Sequence, residues 1–471
     1  MELPGFDPIS PFRLLSLREQ AALRDSWLER RLQTVLPGLM DRAGIDLWVL
    51  VAREYDEDPV LRTMLPAEWL SARRRTLLLL HRTPAGVDAI AVSRYAVGRS
   101  FRSVWTPEAE PDQWARFAEC VEECDPRRIG IDMSPRFAHA DGISATERDR
   151  LLAALPDRYR GRVVSAEALA VGWLETRIPE EMETYPGLVR LGREIIHAGF
   201  GPDALQPGVT TTDDLVWWYR ERIQSLGLVA WFQPTVEVQR GPLDASTQRG
   251  PTASAETGAT QRGPAASSET GATQRGLMAS AETGTAKVGA AATGPAGVRT
   301  NVILPGDLLH VDLGVVYLGL HSDTQQHAYV LREGETSAPA GLEGAMRQCN
   351  QVQDLLMAEL RPGRSGNEVL SAARSACESH GLDATLYSHP LGVHGHAAGA
   401  TIGLWDQQHG VPGPGDYLVY PNTVWSIELN VQANIPEWGG QRVRIMLEED
   451  AYLDADGIRF LDGRQQVLAL V

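Results

Sequence analysis

Four acidic residues in the C-terminal part of the chain lie inside apolar segments that are typical of β-strands. Asp312 stands in LLHVDLG, and Asp323, 11 residues later, stands in GLHSDTQ. Glu428 stands in WSIELNV and Glu448 in VRIMLEEDAYL. Burying a carboxylate without a partner is energetically costly. A fold that buries these strands must therefore also provide partners for their acidic side chains.

A histidine between these strands in the sequence is a candidate to complete a metal site. His396 stands in GHAAG, at 395–399, where small residues let the backbone approach a ligand closely. Asp312 and Asp323 alone would suit hairpin turns equally well, but two neighbouring carboxylates repel each other unless a cation lies between them. Four carboxylates and one imidazole favour a site for hard or borderline divalent ions, and carboxylates can bridge two ions ~3.5–4 Å apart.

The charge balance limits the partners that the chain can bind. Its 471 residues include 44 Lys+Arg and 61 Asp+Glu, which gives a formal net charge of -17. Nucleic acids and anionic membranes attract basic surfaces, so we expect neither as a partner. No apolar run approaches the ~20 residues of a membrane-spanning helix, and the N-terminus lacks a signal-peptide pattern. We therefore expect a cytoplasmic protein.

The first part of the chain has the pattern of an α/β domain. Apolar runs at 45–52, 75–82 and 87–94 are typical of strands, and a helical pattern precedes them. A connector follows this region, so we predict one domain at 1–172 and a second at 176–471. The expected fold class is α/β, with α+β character in the second domain.

A segment of unusual composition interrupts the second predicted domain at about 240–299. TQRG recurs at 247, 260 and 273, and ETG recurs at 256, 269 and 282, which is a period of 13 residues. The segment is rich in Ala, Gly, Ser and Thr and has almost no large apolar residues. Such repeats cannot bury an apolar face, so we predict a disordered, expanded loop.

The order and spacing of the candidate ligands resemble those of the pita-bread metallopeptidases, which include methionine aminopeptidase, aminopeptidase P, prolidase and creatinase. The pattern is Asp, a second Asp 11 residues later, a GHxxG histidine, an IE strand and a Glu nine residues before a Gly. The resemblance covers about 176–471, and the region before it is similar to creatinase-type N-terminal domains. It implies a pita-bread catalytic domain whose metal ligands are Asp312, Asp323, His396, Glu428 and Glu448.

The resemblance also implies a mechanism of metal-assisted hydrolysis. Two divalent ions would polarise the scissile carbonyl group and lower the pKa of a water that bridges them. Glu428 is the candidate that takes the proton of this water and passes it to the leaving amine. Glu449 is an alternative to Glu448 as the last ligand, but Glu448 has the family's spacing to Gly457.

Two auxiliary histidines that the family's peptidases typically carry are replaced in this chain. The position seven residues after the ligand histidine is Gly403, and the strand before the first Asp offers Gln233. His389, His394 and His409 are candidate replacements, and each one alone is more often a structural histidine. We predict that His394 is the second catalytic residue beside the metal ligands.

These inferences predict a dinuclear metal-dependent hydrolase, a peptidase of the Xaa-Pro aminopeptidase or prolidase type. The alternative is a creatinase-like hydrolase or lyase that acts on a non-peptide substrate, or a metal-binding relative without peptidase turnover. Manganese is the expected metal, with cobalt, zinc and iron as alternatives. The expected partners are a peptide or small-molecule substrate and a second copy of the chain, in a homodimer.

Overall fold

A computed structural model describes residues 12–242, 301–396 and 398–471. The predicted disorder of the repeat segment at about 240–299 lies almost entirely outside the described residues. None of the described helices combines the length and the apolar character that crossing a bilayer requires.

A six-stranded mixed sheet is built from the first part of the chain. Its strands are β1 (Leu47–Arg53), β2 (Arg75–Thr83), β3 (Gly86–Ser93), β4 (Arg102–Ser103), β5 (Ile129–Ile131) and β6 (Val163–Ser165). The order across the sheet is β4-β3-β2-β1-β5-β6, in which β1 pairs antiparallel with β2 and parallel with β5. The central strands β1 and β2 are buried on both faces, which explains why they appear in the sequence as continuous apolar runs.

Two further sheets are built from the strands that follow residue 228. The strands are β7 (Val229–Ala230), β8 (Thr235–Arg240), β9 (Asp307–Leu313), β10 (Val315–Tyr317), β11 (Leu320–His321), β12 (Thr324–Tyr329), β13 (Ala384–Leu386), β14 (His389–Gly392), β15 (Gly395–His396), β16 (Thr423–Ile435), β17 (Gln441–Leu453), β18 (Ile458–Phe460) and β19 (Ala469–Leu470). The large sheet has the order β15-β14-β16-β17-β12-β9-β8, with β13, β18 and β19 paired at its sides. The small sheet has the order β11-β10-β7.

Helices surround both parts of the described chain. They are α1 (Leu17–Thr34), α2 (Leu36–Ala43), α3 (Pro59–Met64), α4 (Gln113–Cys124), α5 (Ala145–Ala154), α6 (Asp157–Arg160), α7 (Glu167–Glu175), α8 (Pro179–Met182), α9 (Tyr185–Gly199), α10 (Thr212–Ser225), α11 (Ala340–Glu359) and α12 (Gly366–Ser379). Side-chain caps fix several of their starts. Thr211 accepts a hydrogen bond from the backbone of Asp214 at the start of α10, and Ser365 does the same with Glu368 at the start of α12.

The large sheet has an apolar outer face and a polar inner face. In β16 the side chains of Ile427, Leu429 and Val431 are buried in one core cluster with residues of α11. In β9 the side chains of Leu309 and Val311 are buried in another cluster, with residues of α9 and α10. Because side chains alternate along a strand, the acidic residues between these apolar positions point to the opposite face.

The predicted domain boundaries, 1–172 and 176–471, stay a prediction. The six-stranded sheet spans residues 47–165, and the other two sheets span residues 229–470.

Candidate metal centre

Strand register places four polar residues in one row across the inner face of the large sheet. Gln325 lies opposite Asp312 on one side and opposite Glu448 on the other, and Glu448 lies opposite Glu428. Residues directly opposite each other on paired strands point to the same face, with Cβ atoms ~5 Å apart. The row is therefore a compact line of three carboxylates and one carboxamide.

A second row runs beside the first, two residues further along the strands. Ser426 lies opposite Asp450 on one side and opposite His389 on the other. Asp323 belongs to the same row, because its backbone N–H donates to the Asp450 carboxylate at 3.2 Å. Ser426 Oγ donates to Glu448 Oε1 and so connects the two rows.

The two rows bring the four predicted acidic ligands together and add His389, and the fifth predicted ligand, His396, lies close to Asp323 and His389. His389 Nε2 lies 3.8 Å from an oxygen of each of Asp323, Glu428 and Glu448. Three sets of side chains offer ligand atoms within 4.8 Å of one another: Asp312 with Asp323 and Glu448, His389 with Glu428 and Glu448, and Asp323 with His389 and His396. The carboxylates that the sequence singled out thus converge in the described structure.

The structure gives two histidines, not one, at this centre. His396 was the predicted ligand, and it groups with Asp323 and His389. It is the more exposed of the two histidines, and its ring packs edge-on against Trp231, with centroids 4.9 Å apart. His389 is close to three carboxylates, and its side chain is only 12% exposed. Sequence reasoning treated His389 only as a substitute for an auxiliary histidine, because its position opposite Ser426 cannot be read from the sequence.

Burial controls the protonation of the cluster. It raises the pKa of Glu448 from 4.5 to about 7, and it raises the pKa values of Asp312, Asp323 and Glu428 well above their usual range, with neighbouring carboxylates acting in the same direction. Burial also lowers the pKa of His389 to about 3, which keeps its imidazole neutral. Neutral imidazole is the form that binds a metal.

Unpaired polar atoms test whether a cation fits this set of residues. Within the described part of the chain, Asp312 Oδ1, Asp323 Oδ1 and His389 Nε2 are buried and have no hydrogen-bond partner. Buried polar atoms in folded proteins are nearly always paired. Divalent ions ligated by these oxygen and nitrogen atoms would satisfy all three, so the donor set fits a metal centre.

Glu449, the alternative last ligand, points to the other face of β17. Its Oε1 accepts hydrogen bonds from Gln326 Nε2 at 3.1 Å and from the Gln465 backbone N–H at 2.7 Å. It belongs to none of the three groups, whereas Glu448 belongs to two of them. The geometry therefore favours Glu448 as the ligand.

His394 is directed away from the carboxylates. Its φ is +87°, its Nε2 lies 2.9 Å from the Pro59 carbonyl oxygen, and its ring stacks on His139 with centroids 5.5 Å apart. It is absent from the three ligand groups among the described residues. These contacts favour a structural role, and the catalytic role of His394 stays a prediction.

The other residues considered as auxiliary groups also have local partners. Gln233 accepts a hydrogen bond from Arg220, and His409 Nδ1 lies 3.3 Å from Arg374 Nη1. Gly403 has φ +73°, and a Cβ atom there would lie 2.2 Å from the Leu386 carbonyl oxygen. The local backbone therefore excludes a histidine at the position where the family's peptidases typically carry one.

Solved structures of known proteins share this fold. The X-Pro aminopeptidase of Thermotoga maritima MSB8 is 13% identical, with a TM-score of 0.58, over 92% of this chain and 100% of that chain. The dipeptidase PepE of Mycobacterium ulcerans is 17% identical, with a TM-score of 0.55, over 96% of this chain and 98% of that chain. The Xaa-Pro dipeptidase of Bacillus anthracis is 14% identical, with a TM-score of 0.52, over 97% and 100%. At these identities the likeness concerns the fold, and no curated protein sequence matches the chain significantly.

A family model identifies the region that contains the centre. Residues 246–452 match the model of metallopeptidase family M24, and this region includes the five predicted ligands and His389. The predicted resemblance to the pita-bread metallopeptidases is confirmed, as are the α/β fold class with two-domain architecture and, at the level of the family, the prediction of a metallopeptidase. Over residues 246–452, this chain is therefore similar to metallopeptidase family M24.

Proposed function

We propose that the protein is a two-metal hydrolase that cleaves Xaa-Pro peptides, as an aminopeptidase or a prolidase. The observation that carries this proposal is the convergence of His389 and four carboxylates that are buried or half-buried, with three buried ligand atoms unpaired in the described structure. A structural network would satisfy such atoms with hydrogen bonds, because unsatisfied buried polar groups cost ~1–3 kcal/mol each.

The ligand groups suggest how two ions would be shared among the residues. Asp312, Asp323 and Glu448 form an all-oxygen group, and His389 with Glu428 and Glu448 forms a mixed group. Glu448 belongs to both groups and would bridge them. Divalent ions at such a site act as Lewis acids on a substrate carbonyl group and lower the pKa of water.

We propose Glu428 as the proton-transfer group. Its Oε1 accepts a hydrogen bond from Gln325 Nε2 at 2.7 Å, and its Oε2 lies 3.8 Å from His389 Nε2. We assign it the role of receiving a proton from the attacking water and delivering it to the leaving amine, and a general base must lie within hydrogen-bond reach of the proton that it takes. His396, beside Trp231, lies at the partly exposed side of the centre, and we propose it as a further ligand.

The Xaa-Pro specificity rests on the relatives of this fold, which are named as an X-Pro aminopeptidase and a Xaa-Pro dipeptidase. A second candidate is a creatinase-like reaction on a non-peptide substrate. The closed backbone at Gly403 favours it, because that position cannot supply the histidine typical of the peptidases. Assays with Xaa-Pro dipeptides, longer Xaa-Pro peptides and creatine distinguish the two candidates.

Further parts of the proposal concern the state of the protein in the cell. We infer manganese as the preferred ion, with cobalt, zinc or iron as substitutes, a homodimer as the assembly and the cytoplasm as the location. The boundaries 1–172 and 176–471 remain our proposal for the two domains. Limited proteolysis and sizing by light scattering test the boundaries and the assembly.

Elemental analysis tests the metal centre. Protein reconstituted with manganese, cobalt or zinc should contain two ions per chain, and Asp323→Ala should lose at least one. Glu448→Gln should also lose metal, and Glu449→Gln is its matched control, because this equally buried neighbour points to the other face. Wild-type protein without metal after reconstitution, or equal losses in Glu448→Gln and Glu449→Gln, would contradict the proposal.

A further inference from the structure

Gln325 belongs to the first row on the inner face of the large sheet, together with three carboxylates. Its side chain is the one in that row that cannot be ionised. It lies between Asp312 and Glu448 in the strand register, and its side chain is buried. Strands β12 and β17 pair only through Gln325 and Glu448. Gln325 therefore occupies the point where the two halves of the large sheet meet, next to three candidate ligands.

The Gln325 carboxamide is held in one orientation by its two partners. Its Nε2 lies 2.7 Å from Glu428 Oε1, and its Oε1 lies 2.9 Å from His310 Nε2. When Glu428 is ionised, as a metal ligand must be, its carboxylate can only accept a hydrogen bond, so the NH₂ group of Gln325 faces it. The oxygen of the amide then faces His310, which must carry its proton on Nε2.

A second histidine fixes the surroundings of His310. His327 Nε2 accepts from the Met446 backbone N–H at 3.0 Å, so its Nδ1 carries the proton and donates to the Leu309 carbonyl oxygen at 2.8 Å. The rings of His327 and His310 are in contact, with centroids 5.0 Å apart. Both side chains are buried, as is Gln325, so the hydrogen bond between His310 and Gln325 is shielded from water.

We propose that Gln325, oriented by His310, is a positioning residue that fixes the carboxylate of Glu428 for metal binding. The hydrogen bond to Oε1 leaves Oε2 as the oxygen directed to His389. Groups that orient metal ligands in this way typically contribute 10–100-fold to metal affinity. The inference rests on the proposed function, because it requires that Glu428 be a ligand.

The chain contains a matched control for Gln325. Gln326 is the next residue of the same strand, is also buried, and also donates to a glutamate, with its Nε2 3.1 Å from Glu449 Oε1. Its side chain points to the opposite face, away from the centre. Gln325→Met and Gln326→Met each remove one buried hydrogen bond to a glutamate and keep a similar side-chain volume.

Calorimetric titration of the metal-free variants with Mn²⁺ and Co²⁺ tests the proposal. Gln325→Met should weaken the binding of at least one ion by 10–100-fold, whereas Gln326→Met should leave the dissociation constants within about twofold of wild type. The melting temperatures of the two metal-free variants measure the structural loss separately. If Gln325→Met does not fold, His310→Phe removes the hydrogen bond that orients the Gln325 carboxamide. This variant should also weaken metal binding.

The possible outcomes separate this inference from the proposed function. Unchanged metal affinity in Gln325→Met, or an equal loss in Gln325→Met and Gln326→Met, overturns the positioning role while leaving a two-metal hydrolase intact. A wild-type chain that binds neither ion overturns the proposed function and this inference with it.

Discussion

Removing the metal ions should make the stability of the protein depend on pH in the range where its buried carboxylates titrate. Burial raises the pKa of Glu448 from 4.5 to about 7, so the folded, metal-free protein binds this proton more tightly than the unfolded chain. The difference between these two pKa values corresponds to about 3 kcal/mol of unfolding free energy. This contribution is fully present below pH 4.5 and is lost as the pH rises through about 7.

The other three carboxylates act in the same direction. The pKa values of Asp312, Asp323 and Glu428 are also raised by burial, so each of them adds to the loss of stability as the pH rises. Bound ions would take the place of the protons. We therefore expect metal binding to release more than one proton per chain near pH 7 and to abolish this part of the pH dependence.

Two measurements check this expectation. Melting curves of metal-loaded and chelator-treated protein between pH 5 and pH 8 should show a difference in Tm that grows as the pH rises. Calorimetric titration with metal in buffers of different ionisation enthalpy gives the number of protons released. Glu175 and Glu449 are buried carboxylates outside the ligand groups. They titrate in the metal-loaded and in the metal-free protein, so their effects on Tm cancel when the two melting curves are compared. A difference in Tm that is independent of pH, together with no proton release, would refute the reasoning.

Three further predictions address individual residues and the insert. Glu428→Gln should keep the fold and much of the metal but lower kcat by ~10²-fold or more, measured per metal-loaded chain; unchanged kcat would remove Glu428 from proton transfer. His394→Ala should lower the unfolding free energy by ~1 kcal/mol, because it loses the hydrogen bond to Pro59, and it should leave kcat unchanged. A ~10²–10³-fold fall in kcat at normal metal content would instead establish a catalytic role for His394. Excision of residues about 242–298 should leave metal binding and Tm nearly unchanged, because loop length affects stability only logarithmically; a large fall in Tm would show that the repeats pack on the fold.

The candidate acidic ligands could be found in the sequence because a carboxylate within an apolar strand cannot simply be buried without a partner. A Glu in the middle of an apolar strand, such as Glu428, must face either a partner or a polar side of the sheet. In the structure, Glu428 lies on the polar inner face of the large sheet. Glu448 and Glu449 are adjacent in one strand and point to opposite faces, so Glu448 alone joins the candidate ligand groups. The caps at Thr211 and Ser365 are local in the sequence, because each links residues that are only three apart.

The residues that the sequence did not reveal depend on contacts between distant strands. His389 reaches the centre because its short strand pairs with β16 opposite Ser426, and nothing within the SHPLG segment specifies that register. Gln325 is a neutral residue in a polar stretch, and its role follows only from the two strands on either side of it. The closure of the backbone at Gly403 likewise requires the carbonyl group of Leu386, 17 residues earlier in the chain.

The hydrogen bond between His394 and Pro59 has a thermodynamic consequence for the whole chain. His394 lies between His389 and His396 in the sequence, while Pro59 begins a helix that packs with the first sheet. Coupling between two binding events is reciprocal. If the packing of the N-terminal region against His394 favours the arrangement of these histidines that binds metal, then metal binding must favour that packing by the same free energy. Metal loading would then slow hydrogen exchange in α3, although that helix contributes no residue to the candidate ligand groups.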